Sequence, residues 1–151
     1  MPDFPARNPD YDTRGRASFA RQALMTTMGM RIEELAPGRI ALAMAHDPAL
    51  TQQHGFLHGG IVASGLDTAC GFAAFSLMPA DAAVLTVEFK TNFLNPAQGD
   101  GYRFEAEVIK PGRTLVIGEA RAYGVTDGAS RLVATMSATM MAIQGREGVK
   151  D

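Results

Sequence analysis

The chain has 151 residues, of which 46% are hydrophobic and 20% charged, as is typical of one globular domain with a sizeable core and not of a disordered chain. A formal net charge of -2 and a pI near 5.9 argue against a nucleic acid or an anionic membrane as the main partner. A single cysteine, Cys70, excludes a secreted scaffold built on internal disulfides and fits a reducing compartment, so we expect a cytoplasmic protein.

The first third of the chain is predicted to contain an arm, a short helix and a hairpin. Residues 1–15 are rich in Pro, Asp and Arg and lack the apolar segment of a secretory signal, so we expect a poorly ordered arm. Apolar residues close to helical spacing predict a short helix from Ala17 to Met30. Alternating apolar residues on both sides of Pro37-Gly38 predict a hairpin, and the polar segment 47–57 predicts a loop.

A long apolar segment follows, from Ile61 to Met78, without any Lys, Arg or Glu. Its length is at the lower limit for a membrane-spanning helix, which is about 17–18 residues. However, Asp67 lies near its middle, glycines and hydroxyl side chains dilute it, and no cationic flank or aromatic belt frames it. We therefore interpret this segment as a helix buried in protein.

Alternation of apolar and polar residues then predicts strands over 87–93, 102–108, 115–125 and 132–143. Because short turns join consecutive strands, neighbours along the chain should pair antiparallel. A helix that is apolar on nearly every side must also be covered on most sides. We therefore expect an α+β fold in which an antiparallel sheet curls around one central helix. It should form a single domain over residues 16–143, with a solvated tail at 144–151.

The sequence His58-Gly59-Gly60 directly precedes the apolar helix. Glycines allow a ligand to approach the backbone closely, and the N–H groups of the first helical turn have no partners inside the helix. With the helix dipole, these groups could bind an oxyanion or polarise a carbonyl group. The same glycines would equally serve a tight turn from loop to helix, and the sequence leaves both interpretations open.

Asp67 is, apart from the Cys70 thiol, the only ionisable side chain between His58 and Asp81. A carboxylate in an apolar helix is costly to bury unless it is paired or functional, so we favour a functional role over a hydrogen-bonded structural one. On one helix, the eight-residue spacing from Gly59 to Asp67 is an axial separation of about 12 Å. If both act on one substrate, they must come from two antiparallel helices across a two-fold axis, which predicts a dimer with its active site between subunits.

Other candidate sites are weaker. His54 and His58 are four residues apart, but Gly55 lies between them and no acidic residue stands nearby, so we expect no metal site. Cys70 has no neighbouring His and is interpreted as a small core residue. The sequence has no G-x-S-x-G motif, which disfavours a serine hydrolase, and no phosphate-binding glycine motif.

Residues 55–60 are Gly-Phe-Leu-His-Gly-Gly, and residues 67–69 are Asp-Thr-Ala. This pattern resembles the G-x-x-H-G-G…D-x-A signature of hotdog-fold acyl-CoA thioesterases of the phenylacetate-degradation (PaaI) type. Residues 86–96 resemble the strand that enters the family's N-F-L-x-P turn, and residues 108–114 resemble its V-x-x-x-G-[RK]-T turn. The resemblance covers most of the chain, from about Met30 to Ile143.

The resemblance implies the hotdog fold and thioester hydrolysis, with coenzyme A as part of the substrate and no metal or organic cofactor. It implies that the amide of Gly59 polarises the thioester carbonyl while His58 shapes the turn. Asp67 from the facing subunit would attack the carbonyl carbon or activate water. Thr86 matches a Ser/Thr position that helps to hold the water, and Gln52 stands where many members have Asn.

The expected substrate-binding residues form two groups. The acyl group should contact residues around the central helix, whose apolar walls suit an aryl or a medium aliphatic acyl group: Phe56, Leu57, Gly60 and Phe72. Lys110 and Arg113 flank a turn that could meet the CoA phosphates, or they are simply solvated. Lys90 and Arg121 are further options. The resemblance also implies a homodimer or homotetramer, and the charge of the chain predicts no nucleic-acid or membrane partner.

Two other functions stay open at this point. A hotdog acyl-thioester hydratase or dehydratase would use His58 and Asp67 to move protons. A non-catalytic acyl-CoA binder would keep the fold without turnover. The H-G-G turn, with Asp67 eight residues after the first glycine, fits the thioesterase better. The products would distinguish the three: free thiol, an altered C=C bond, or no reaction.

Overall fold

The computed structural model describes residues 3–151, and its first elements are two helices. Helix α1 spans Tyr11–Arg21 and helix α2 spans Ala23–Met28. The helix predicted from Ala17 to Met30 therefore begins earlier than expected and is divided at Gln22, whose backbone is extended. This residue still donates its N–H to the last turn of α1, so the two helices follow each other directly.

Residues 11–15 differ from the predicted arm, because they form the first turns of α1. The carbonyl of Asn8 accepts a hydrogen bond from the N–H of Tyr11 at 3.2 Å, which initiates the helix. Phe19 then anchors α1 through its buried ring. No apolar periodicity precedes this residue in the sequence, so the first turns of α1 have no pattern that predicts them. Residues 1 and 2 of the predicted arm lie outside the described residues.

Six strands form one sheet in the order β1-β2-β4-β5-β6-β3. Every pairing in it is antiparallel. Helix α3, Gly59–Phe75, packs against this sheet, and a short 3-10 helix, Pro48–Leu50, lies in the loop before it. The strands are Arg31–Ala36 (β1), Arg39–Ala45 (β2), Ala83–Phe93 (β3), Gly101–Pro111 (β4), Leu115–Thr126 (β5) and Ala129–Ile143 (β6). The predicted α+β fold, with a sheet around one long helix, is confirmed.

Glycines at the hairpin turns explain why the strands could be recognised from sequence. Gly38, in the turn between β1 and β2, has a φ of 76°, which glycine adopts without strain. Asp127 and Gly128 have φ values of 50° and 77° in the turn between β5 and β6, the two positive values of a type I′ turn. In the turn between β4 and β5, any side chain on Gly112 would collide with the carbonyl group of Leu115.

Helix α3 forms the centre of the core, and ten of its 17 residues are buried. It begins two residues before the predicted start at Ile61 and ends at Phe75. The hydroxyl of Ser76 donates to the carbonyl of Ala73 at 2.7 Å and accepts from the N–H of Gly38 at 2.8 Å, which ties the helix end to the sheet. Within residues 3–151, no helix has both the length and the apolar character needed to cross a membrane.

Strand β3 lies at one edge of the sheet, where β6 is its only strand partner among residues 3–151. Side chains alternate between the two faces of a regular strand, so residues an odd number of positions apart face opposite sides. A β-bulge at Val87 shifts this alternation and allows Thr86 and Phe93 both to face α3. Several apolar side chains on this strand are 44–56% exposed: Leu85, Val87, Phe89 and Phe93. An exposed, apolar edge strand is open to pairing with a strand of another chain.

Gly65 allows α3 to approach β4 closely. A Cβ atom at this position would lie 2.6–2.8 Å from ring atoms of Phe104, which is fully buried. We expect Gly65→Ala to lower the free energy of unfolding by about 1–3 kcal/mol, because a packed core accommodates an extra methyl group poorly. Urea unfolding followed by circular dichroism measures the change.

Phe104→Leu provides the control, because it removes the ring atoms that the new methyl group would meet. The double variant should be less destabilised than the sum of the two single variants. Additive losses would contradict a clash between Gly65→Ala and this ring.

Candidate active site

The loop before α3 is held in place by backbone hydrogen bonds at its last two residues. The N–H of Leu57 donates to the carbonyl of Ala97 at 2.9 Å, and the N–H of His58 donates to the carbonyl of Leu50 at 2.9 Å. The first bond attaches the loop to the segment between β3 and β4. The second closes the loop on itself, so the direction in which the chain enters α3 is fixed.

His58 is the N-cap of α3. Its Nδ1 atom accepts a hydrogen bond from the N–H of Gly60 at 2.8 Å. Its carbonyl accepts from the N–H groups of Ile61 and Val62 at 2.9 and 3.1 Å. Among residues 3–151, no acceptor pairs with the N–H of Gly59. The helix start therefore combines a capped turn with one free donor, and the helix dipole makes that donor suited to an oxyanion.

A cavity of about 390 Å³ lies beside this donor. Three residues proposed from the sequence line it together with Gly59, namely Gln52, Phe56 and Leu57. The side-chain oxygen of Gln52 accepts a hydrogen bond from the N–H of His54, which holds this side chain within the loop. The cavity therefore brings part of the predicted site together around the start of α3.

The other lining residues were not identified from the sequence as parts of the site. They come from α3, from the end of β3 and the segment after it, and from β6: Val62, Phe93, Leu94, Asn95, Pro96, Ala97 and Val133. The N-F-L-x-P motif contained most of the signal, since it covers residues 92–96. Its position on the sheet relative to Gly59 could not be inferred from the sequence.

Phe72 does not line this cavity, contrary to the expectation from the sequence. Its ring is buried and packs edge-on against Phe19 and Phe75, at centroid distances of 5.5 and 6.0 Å. This position is 13 residues along α3 from Gly59, about 20 Å on a straight helix. Gly60 is exposed at the helix start and does not line the cavity either.

Asp67 is partly buried on α3 and is paired with Thr86 on β3. The threonine hydroxyl donates to Oδ1 of the carboxylate at 2.7 Å. This bond orients the carboxylate and leaves its second oxygen free of any hydrogen bond within residues 3–151. The pairing of two residues that were predicted separately, 19 positions apart in sequence, defines a second half-site.

The two half-sites lie at opposite ends of β3. Gly59 lies against Phe93, at the end of this strand, because a Cβ atom on the glycine would be 3.4 Å from the ring. Asp67 contacts Thr86, near the beginning of the same strand. Since α3 is continuous between the two positions, one chain holds them about 12 Å apart along the helix axis.

The proposed cationic residues lie on the outside of the sheet. Lys110 and Arg113 are exposed at the turn between β4 and β5, and neither forms an ion pair with residues 3–151. Arg121 lies 3.9 Å from a carboxylate oxygen of Glu107, so part of its charge is already compensated. Lys90 is exposed on edge strand β3.

Cys70 is buried in α3, and burial raises the pKa of its thiol to about 12, with the nearby Asp67 carboxylate adding to the effect. The thiol is therefore protonated at neutral pH and is a poor nucleophile. No group of three or more His, Cys, Asp or Glu side chains within residues 3–151 is arranged to hold a metal ion.

Comparisons with known proteins relate these features to a family. Residues 54–130 match the family model of the thioesterase superfamily. A thioesterase family protein from Silicibacter pomeroyi is similar in sequence and in crystal structure, with 61% identity and a TM-score of 0.88 over 89% of this chain and 99% of that one. A Saccharolobus solfataricus protein, provisionally described as an esterase, is 34% identical over 114 residues, or 76% of this chain and 73% of that protein.

The E. coli PaaI protein, from the phenylacetic acid degradation operon, shares the fold at lower identity. It is 20% identical and superposes with a TM-score of 0.80 over 93% of this chain and 98% of that chain. The sheet wrapped around α3 is thus the hotdog architecture that the sequence resemblance implied. The chain belongs to the thioesterase superfamily, a family of hydrolases.

Proposed function

We propose that this protein hydrolyses an acyl-CoA thioester to the free acid and CoA, at sites shared between two copies of the chain. The observation that carries the proposal is the separation of two complementary half-sites on one rigid helix. One half-site is the free N–H of Gly59, and the other is the carboxylate of Asp67 held by Thr86. Each half-site alone lacks a component that thioester hydrolysis requires.

Antiparallel pairing of β3 with the same strand of a second copy would join the half-sites. If the two-fold axis passes through Lys90, Phe89 pairs with the partner's Thr91. In this register, side chains that point to the helix on one strand lie opposite side chains that point to the helix on the other. The bulge at Val87 then sets the partner's Thr86 opposite Phe93. Since Phe93 lies against Gly59 and Thr86 binds Asp67, the donor of one chain meets the carboxylate of the other.

The chemistry follows from these two groups. The Gly59 N–H would stabilise the oxyanion that forms as the thioester carbonyl is attacked; one such donor contributes about 10²–10³-fold in rate. Asp67 would attack the carbonyl carbon itself or take a proton from an attacking water. In both routes the C–S bond breaks and its electron pair leaves with the CoA sulfur. Water supplies the hydroxyl group of the acid and the proton of the thiol.

The position of the turn between β4 and β5 supports a contact with the CoA phosphates. Leu85, Met141 and Leu115 lie opposite one another across β3, β6 and β5. Neighbouring strands are about 4.8 Å apart, so Leu115 is two strand spacings from Leu85. The turn that carries Lys110 and Arg113 directly precedes Leu115 and is therefore near the same end of the sheet as Asp67. A thioester beside this carboxylate would leave the rest of CoA within reach of the two cations.

The outer face of the sheet supports a further association of dimers into a tetramer. Leu85 and Leu115 are each 44% exposed on the face opposite α3, and Ile109, in the bulge of β4, is 47% exposed. These side chains form an apolar area that one dimer could bury against another.

The first test compares free-thiol release from a panel of aryl- and alkyl-CoA esters by the wild type and by Asp67→Asn. We expect the wild type to release thiol and the variant to lose at least about 10²-fold in kcat, because the amide neither attacks nor accepts a proton. The isosteric change retains an acceptor for the Thr86 hydroxyl. Full activity in Asp67→Asn would contradict the proposed mechanism.

Mixing two inactive variants tests whether the site is shared. Gly59→Leu places a side chain against Phe93 and blocks the donor, whereas Asp67→Asn removes the carboxylate. After unfolding and refolding together at equal amounts, mixed dimers contain one intact site, so about a quarter of the wild-type activity should return. If both groups acted within one chain, mixing would restore no activity.

The product formed by the wild type distinguishes the other two candidate functions. A product with an altered C=C bond would favour the hydratase, and tight binding without any reaction would favour the non-catalytic binder.

Substitutions of His58 distinguish the thioesterase mechanism from the hydratase mechanism. In the structure its Nδ1 caps α3, a role that the side-chain oxygen of Asn also fulfils. We expect His58→Asn to retain thioester hydrolysis within about tenfold, and His58→Ala to lower the free energy of unfolding by about 0.5–2 kcal/mol. Equal loss of turnover in both variants, without loss of stability, would instead indicate a proton-transfer role for the imidazole.

Lys110 and Arg113 can be tested with a truncated substrate. Replacing both by Ala should raise the KM for acyl-CoA by about tenfold, because a phosphate would lose two charged partners. The KM for the matching acyl-pantetheine, which lacks the nucleotide phosphates, should not change. Arg39→Ala, which removes an exposed cation on β2 that is not proposed to meet the phosphates, is the control and should leave both KM values unchanged. Equal effects on the two substrates would show that the cations do not act through the phosphates.

A further inference from the structure

The ring of Phe93 stands directly beside the proposed oxyanion donor. A Cβ atom built on Gly59 would lie 3.4 Å from Cζ and 3.6 Å from Cε1 of this ring, which is ordinary van der Waals contact. The side chain is 56% exposed, although it projects from β3 towards the helix. Leaving aside its chain neighbours His58 and Gly60, no other side chain of residues 3–151 lies within 4 Å of that Cβ position. Phe93, which also lines the cavity, is thus the side chain from a distant part of the sequence that lies beside Gly59.

The cavity beyond this ring has the character of an acyl site. Apart from Gln52 and Asn95, its lining side chains are apolar, and the charged turn at Lys110 and Arg113 does not contribute to it. Its volume of about 390 Å³ is near the lower end of the range of small-molecule sites, roughly 300–1,000 Å³. A phosphopantetheine arm, with its amides and charge, would be poorly matched by such walls.

The side-chain oxygens of the two polar residues that line the cavity already accept hydrogen bonds. The side-chain nitrogen of Asn95 donates to the carbonyl of Leu132 at 2.8 Å, and its oxygen accepts from Arg131 at 2.7 Å. The side-chain oxygen of Gln52 accepts from the N–H of His54. With these oxygens occupied, selection within the cavity depends on shape and apolar contact rather than on hydrogen bonds from the acyl group.

We propose that Phe93 is the residue that limits the size of the acyl group, by closing the cavity immediately beside the reacting carbonyl. The inference rests on the proposed function, because it assumes that the thioester carbonyl binds at the Gly59 N–H. The acyl chain must then start at this position and pass the ring. Truncation of the ring opens the cavity for longer chains, and a larger ring restricts it to shorter ones.

The test compares Phe93→Ala and Phe93→Trp with the wild type over a series from butanoyl- to dodecanoyl-CoA. The preference of Phe93→Ala for decanoyl- over butanoyl-CoA, as a ratio of kcat/KM values, should rise at least about tenfold, and that of Phe93→Trp should fall. Phe89→Ala is the matched control, because Phe89 lies on the same strand and face but does not line the cavity. It should change all substrates by one common factor, and sedimentation should give the same assembly state for all variants.

Binding of S-alkyl-CoA thioethers of the same chain lengths, measured by calorimetry, tests the inference without turnover. The affinity profile should shift to longer chains in Phe93→Ala, even if the wild type were to hydrolyse none of the esters and the proposed function were therefore wrong. An unchanged chain-length profile in both measurements would overturn the assignment of Phe93. An equal shift in Phe89→Ala would overturn it as well, because the effect would then belong to the strand and not to the cavity wall.

Discussion

The constraint on which the site depends is the rigidity of α3. A single helix, packed against the sheet through the contact of Gly65 with Phe104, carries a free donor at its start and a carboxylate in its middle. Because the helix is continuous, no local motion brings Asp67 to its own Gly59. The fold therefore separates the two groups that we propose to act together, and strand β3 beside the helix is where a second chain could bring them together.

Association with a second chain would depend on edge strand β3. Its apolar side chains are about half exposed, and burying a large apolar side chain contributes about 1.5–3 kcal/mol, so each contributes about 1 kcal/mol when covered. Covering Val87, Phe89 and Phe93 on both chains, together with the new backbone hydrogen bonds, gives a driving force of the size that association needs, about 4–15 kcal/mol. The same pairing aligns Thr86 with the end of the opposing strand, so assembly and catalysis would depend on the same residues.

Local sequence patterns predicted the elements whose determinants are local. Alternation identified the strands, glycines at positive φ marked two of their turns, and a long apolar segment without Lys, Arg or Glu identified α3. Apolar periodicity does not predict the first turns of α1, because they begin with hydrogen bonds from the N–H groups of Asp10 and Tyr11 to the polar residue Asn8. The sequence predicts Phe72 at the acyl site because this residue lies on the central helix, whereas its contact with Phe19 depends on tertiary packing.

The candidate site shows the same division between local and non-local information. His58, Gly59 and Gln52 are neighbours in sequence, so their association around one loop was predictable, but Phe93 reaches Gly59 only because β3 ends there. The alternation of apolar and polar residues around Phe89 and Phe93 predicts a strand with one buried face, and within a single chain that face is half uncovered. The pattern thus describes a surface that a monomer does not complete. Edge strand β3 carries aromatic side chains, and one of them, Phe93, lies against a free backbone donor. This composition is expected of an edge strand that pairs with the same strand of another subunit.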